Sequence, residues 1–179
     1  DQLAELNWQR NQEFSLPFTE DNARPAVFAF NGDVYQGLDA YSLKASQLDD
    51  LQETLRILSG LYGILRPLDL IQPYRLEMGT RLQNERGKNL YEFWGDKIHQ
   101  SLNNLLQSEK SWILVNLASL EYFKAAKADR FEATVITPVF KEQQNSSYRV
   151  VAIYAKKARG RMCDFIIRNQ IQQPEDLKS

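Results

Sequence analysis

Residues 150–167 read VVAIYAKKARGRMCDFII and join three signals in one short stretch. Val150, Val151, Ile153 and Tyr154 favour a strand. Lys156, Lys157, Arg159 and Arg161 follow as a cation cluster, and Met162, Phe165 and Ile166 then recur at helical spacing. The spacing predicts a strand, a basic turn and a helix, stopped by Pro174. In such a unit the turn's backbone N–H groups and the positive end of the helix dipole address one point, which favours an anion. Two readings stand for the four cations: a site for a phosphate or other anion, or a solvated basic turn.

Working outward, Gln143 to Ser147 is a polar turn, and residues 133–155 suggest one hairpin. Ala133 to Phe140 and Trp112 to Leu117 are apolar runs suited to strands, the second leading into a short helix that reaches Ala128. That junction gathers Asn116, Ser119, Glu121 and Tyr122, an amide, a hydroxyl, a carboxylate and a phenol. Ligands in open α/β sheets favour such strand-to-helix junctions. Glu121 is therefore a candidate acid–base group, with Tyr122 and Asn116 as positioning groups, while Ser119 reads equally as a helix N-cap. No Gly-x-Ser-x-Gly elbow and no nearby histidine supports a serine nucleophile.

Asn89 caps a helix whose buried side runs from Leu90, Phe93 and Trp94 through Ile98, Leu102, Leu105 and Leu106. Leu58 to Gly79 reads as a helix, a glycine turn at Gly60 and Gly63, and a second short helix cut by Pro67. That order resembles a helix-hairpin-helix element, which offers backbone N–H groups to a DNA phosphate, although a helix C-cap at Gly60 explains the first glycine equally well. A helix from Ser46, with Asp49 completing a capping box, carries a stripe of Leu48, Leu51, Leu55 and Leu58. Ala26 to Phe30 suits a buried strand closed by the turn Asn31-Gly32-Asp33, and Asp1 to Phe14 suits a helix. Asp33 at a strand end is a second acid–base candidate, or an acceptor for its own turn. Strands alternating with helices, plus the hairpin, predict a single α/β or α+β domain with a mixed β-sheet.

Composition narrows the function classes. The chain has 179 residues, 43% hydrophobic and 25% charged, as ordinary globular proteins do. One cysteine, Cys163, and one histidine, His99, exclude a Cys/His zinc or iron–sulfur site within the chain. No metal or cofactor is expected, and Cys163 reads as a buried small hydrophobe. No apolar run approaches the ~20 residues that span a bilayer, and nothing resembles a signal peptide, so a cytoplasmic location is expected. Net charge is −1, yet residues 1–55 carry ten acids against three cations while residues 147–168 carry six cations against one acid. The expectation is a polarised molecule that steers an anionic partner to one face.

Five blocks, FNGDVYQGL (30–38), LSGLYGILRPLDLIQPYRLEMG (58–79), LYEFWGD (90–96), NLASLEYFK (116–124) and AKKARGRMCDFII (155–167), resemble the YaaA family of bacterial peroxide stress proteins. The resemblance runs in consistent order along essentially the whole chain. It implies a cytoplasmic protein that helps cells survive hydrogen peroxide by keeping free iron low. It also implies binding of double-stranded DNA, without sequence preference, through a positive cleft and the helix-hairpin-helix-like element. By that likeness the element maps to Leu58 through Leu70, and the anion-binding residues are Gly60, Gly63, Arg66 and Arg75 with Lys156, Lys157, Arg159 and Arg161. Family members also carry further segments at both ends, including a Ser-Pro-Ala-Lys sequence near the start. A small phosphate-bearing or nucleotide-like substrate is the alternative, with Glu121 or Asp33 as acid–base, and Tyr122, Asn116 and Ser119 beside it.

Overall fold

The computed structural model describes residues 2–110 and 112–178; Asp1, the expected start of the first helix, lies outside the described residues. Gln2–Glu13 forms helix α1. The expected strand at Ala26 is not formed. Only Arg24–Pro25 is extended, as β1, and Ala26–Ala29 makes one helical turn, α2. Two N–H groups decide this: Ala26 donates to Asp69 O and Val27 to Pro67 O, both at 2.9 Å, so the loop before residue 70 takes the bonds a sheet neighbour would have taken. Asp33–Leu38 is α3 and Ala45–Thr54 is α4. The N-cap of α4 is Lys44, whose N–H donates to Gln47 Oε1 at 2.9 Å, two residues before the predicted Ser46 cap.

The block expected to hold a helix-hairpin-helix element is a β-hairpin instead. Ile57–Ser59 is β2 and Gly63–Leu65 is β3, antiparallel, with Ser59 opposite Gly63. Leu58 fits the helical stripe, but Ile57, Ser59, Gly63 and Leu65 are buried while Leu58 and Ile64 are half-buried, a period of two. Arg56 ends α4 by donating from Nη1 to the Gln52, Glu53 and Leu55 carbonyls. Gly63 holds φ at 76°, and the Trp94 ring would lie 2.8 Å from any Cβ there, so glycine is needed for both backbone and space. Leu70–Ile71, β4, pairs antiparallel with β1.

Asn89 caps α5 (Leu90–Trp94) as predicted, its side chain accepting the Glu92 N–H at 2.9 Å. Gly95 at φ 54° then breaks the expected single helix, and α6 (Lys97–Ser108) buries Ile98, Leu102 and Leu106. Ile113–Val115, β5, is parallel to β6, Thr134–Ile136. Between them Ser119 caps α7 (Leu120–Phe123), accepting the Tyr122 N–H at 3.4 Å. Glu142–Gln144 (β7) and Ser147–Arg149 (β8) form a hairpin within residues 133–155, but from the segment read as its turn: the strand expected at 133–140 pairs instead with β5, and residues 152–155 are helical. The α/β class holds, with the strands of the described residues arranged as four two-stranded sheets, three antiparallel and one parallel.

The last helix corrects the opening prediction. Ala152–Arg168 is one helix, α8, so residues 152–154 are helical and the four cations lie on its surface and not in a turn. Ala155, Lys156, Lys157, Ala158 and Arg159 are strong helix formers, and only the residues before them favour a strand. Its buried face is Ala155, Gly160, Cys163 and Ile167. The small residues on that face let α8 lie backbone to backbone against α3. A Cβ on Gly160 would sit 1.8 Å from Val34 O, and one on Gly37 would sit 2.2 Å from Lys157 O.

Candidate anion-binding surface

Helix α8 presents Lys156, Lys157 and Arg161 as exposed residues and Arg159 as half-buried. Lys157 and Arg161 are one turn apart on the same side, where like charges repel. Among the described residues none of the four forms an ion pair, whereas Arg66, Arg75, Lys127, Arg130 and Arg168 all do. Because the cations are spread along a helix, they do not converge with turn N–H groups on one small point. They form an open basic strip along the helix with two flanks, Lys157 with Arg161 on one and Lys156 with half-buried Arg159 on the other, and exposed Tyr148, Val150, Ile153 and Tyr154 lie at its start.

Helix α8 is held by elements from the first third of the chain. Helix α8 packs directly on α3 and also meets α4, both from that third. Arg168 fixes its far end, donating to Asp164 Oδ1 and to Ser42 Oγ, each at 2.6 Å.

The other predicted residues are placed apart from this strip in role. Gly60 is buried, its carbonyl accepting from Trp94 Nε1 at 3.0 Å, and a Cβ there would meet Leu76 O at 2.3 Å. Gly60 and Gly63 therefore close a hairpin against the α5 indole. Arg66 pairs with Asp69 at 3.4 Å and Arg75 with Glu77 at 3.6 Å, both exposed contacts within their own loops.

At the β5–α7 junction each side chain has a local partner. Buried Asn116 accepts the Ala118 N–H at 3.0 Å and donates to Thr137 Oγ1 at 3.3 Å. Ser119 is the cap of α7, and Glu121 Oε1 accepts the Gly79 N–H at 2.7 Å. The hydroxyl of Tyr91 donates to Glu121 O at 2.9 Å, and the Tyr122 hydroxyl bonds the Met78 backbone. Asp33 sits in the first turn of α3. The arrangement ties the loop around Met78 to α7.

Sequence reasoning missed a set of phenols withdrawn from solvent. Burial raises the Tyr35 pKa, with Tyr74, Tyr122 and Cys163 adding to the effect. Burial also pushes Tyr74 up to about 12, opposed by its 2.6 Å hydrogen bond with Ser59 Oγ. Ser59 is fully buried and also accepts the Leu61 and Tyr62 N–H groups. Tyr35, Tyr74, Tyr122 and Cys163 come from four of the five quoted blocks, and Trp94 of the fifth packs on Gly63. The only signal in the sequence was the aromatic residue inside each block.

Fold and surface together define a small α/β protein whose last helix carries four cations that form no ion pair among the described residues. A family described as Peroxide stress protein YaaA matches residues 1–179. The chain is 57% identical over 179 residues to a UPF0246 protein of Hahella chejuensis, covering 100% of this chain and 70% of that protein. It is 58% identical over 179 residues to a UPF0246 protein of Aliivibrio fischeri, covering 100% and 69%. A UPF0246 protein of Neisseria meningitidis is 55% identical over 179 residues, covering 100% and 69%. The chain belongs to the peroxide stress protein YaaA family. The family match runs the length of the chain and lends no support of its own to the expectation of segments lacking at both ends. Among the described residues, no helix is long and apolar enough to cross a membrane.

Proposed function

We propose that this protein serves peroxide defence by binding the phosphate backbone of double-stranded DNA, without sequence preference, through α8. The observation that carries the reading is the set Lys156, Lys157, Arg159 and Arg161 on one helix, none in an ion pair among the described residues. Such a strip lowers its self-repulsion when it meets an extended polyanion, and it suits a long backbone better than a single phosphate group. The lowering of free iron implied by the resemblance belongs to the same proposal, as a cellular effect of a protein acting at DNA. One histidine and one cysteine make a poor soft-ligand iron store.

The test is fluorescence anisotropy with two duplexes of unrelated sequence across a salt series, comparing the protein with Lys156→Ala/Lys157→Ala/Arg161→Ala. Both duplexes are expected to bind with similar affinity. The triple variant is expected to weaken both alike and to lower the slope of log K against log salt by about 2–3. Unchanged duplex binding by the variant overturns the assignment. Displacement of duplex by millimolar nucleoside monophosphate, with no salt slope, assigns the strip to a small phosphate-bearing ligand instead.

A further inference from the structure

Asn31-Gly32 is the only asparagine–glycine pair in the sequence, and it lies in the link between α2 and α3. Asn31 is exposed. Among the described residues its side chain makes no hydrogen bond, and neither does the Gly32 N–H. Other asparagine amides are occupied: the Oδ1 atoms of Asn22, Asn84, Asn89 and Asn116 accept the N–H groups of Thr19, Arg86, Glu92 and Ala118 at 2.9, 2.9, 2.9 and 3.0 Å.

An asparagine side-chain carbonyl carbon lies within reach of the next residue's backbone nitrogen, so attack within the chain closes a small ring, a succinimide. The approach needs a peptide N–H free to lose its proton and a following residue with no Cβ in the way. Gly32 supplies both. A Cβ built on it, at its φ of 151°, would meet nothing within 4 Å, so its peptide plane has room to turn. The flanks are held meanwhile: the Phe30 ring stacks on Tyr35 at 5.1 Å, and Gly32 O accepts the Gln36 N–H at 2.9 Å.

We infer that Asn31 is a self-modification site, deamidated by its own backbone. The Gly32 nitrogen bonds to Asn31 Cγ, the Cγ–Nδ2 bond breaks, and the amide leaves as ammonia, carrying the proton lost from Gly32. Water then opens the ring. Opening at the side-chain carbonyl leaves an aspartyl residue, and opening at the backbone carbonyl leaves a β-aspartyl residue whose main chain is one carbon longer. Water is the only co-reactant. Either product adds a negative charge, and the β product lengthens the chain just before α3, the helix on which α8 lies.

The test is incubation of the native protein for several days at physiological temperature in mildly alkaline buffer. Peptide mass spectrometry follows every asparagine, and a purified β-aspartyl carboxyl methyltransferase counts β-aspartyl groups by methyl transfer from S-adenosylmethionine. Position 31 is expected to convert at least about ten times faster than any other asparagine, with both products formed. Asn31→Gln, whose longer side chain would have to close a larger ring, is expected to remove nearly all of the early methylation. Retention of the amide at position 31 in the native protein overturns the inference, and its conversion in urea would then assign the protection to the fold. Faster conversion of Asn145, which precedes Ser146 in the exposed turn between β7 and β8, overturns it as well.

Discussion

Gly160 leaves no room for a side chain, because a methyl group would meet the Val34 carbonyl at 1.8 Å and the Leu38 nitrogen at 2.7 Å, both rigid backbone. Gly160→Ala is therefore expected to cost about 1–3 kcal/mol or to push α8 off α3, read as a lower urea midpoint. Cys163 lies on the same face, 9% exposed, and burial raises its thiol to about 12 from the ordinary 9.0, with Asp164 adding. The thiolate is the reactive form, so the native protein at pH 8 is expected to resist iodoacetamide and to react once unfolded in urea. Rapid labelling of native protein would contradict this. Ser59→Ala should cost about 1–3 kcal/mol, since it strips an acceptor from the Leu61 and Tyr62 N–H groups and a partner from Tyr74.

At the scale of elements, the segments that departed from expectation share a cause. Residues 57–65 and 150–168 carry patterns that satisfy two periods over a few residues, and long-range partners choose between them. Trp94 across the hairpin selects β2–β3, and α3 beneath Gly160 selects α8. Elsewhere the local code sufficed: Asn89 and Ser119 cap helices because their side chains accept N–H groups from three residues onward. Asp96 begins α6 and accepts from both Lys127 Nζ at 2.5 Å and Arg130 Nη1 at 2.7 Å, and those partners hold its carboxyl below the usual range, Lys127 first. A depressed carboxylate contributes stability above its unfolded pKa of about 3.9 and loses it as pH falls through the lower folded value. Asp96→Asn is therefore expected to flatten the acid limb of the stability curve below about pH 4 while leaving the alkaline limb unchanged.

For the whole molecule, the raised groups are spread over the core. Cys163 lies in the cluster with Leu51 and Ile167, Tyr35 and Tyr74 pack with Ile57 and Ile71, and Tyr122 packs with Met78 and Ile98. Each acid is kept neutral by the fold, so its contribution is complete below its unfolded pKa and is lost as pH rises through its folded pKa. Cys163 and Tyr74 start from 9.0 and 10.0 and reach about 12. The thermal midpoint is expected to fall steadily between about pH 9 and pH 12, and a flat midpoint over that range would show these groups to be solvated.

The sequence by itself determined the α/β class, most helix positions, two helix caps, the buried cysteine and the four-cation cluster. These follow from local side-chain chemistry and from burial periods that run long enough to be unambiguous. Only the tertiary structure decided that the cations lie along a helix, that Gly60 and Gly63 close a strand hairpin, and that Tyr35 and Tyr74, from distant blocks, pack into one cluster. The reason is physical: those outcomes depend on backbone approach and ring packing between residues far apart in the chain, and no local spacing encodes such contacts.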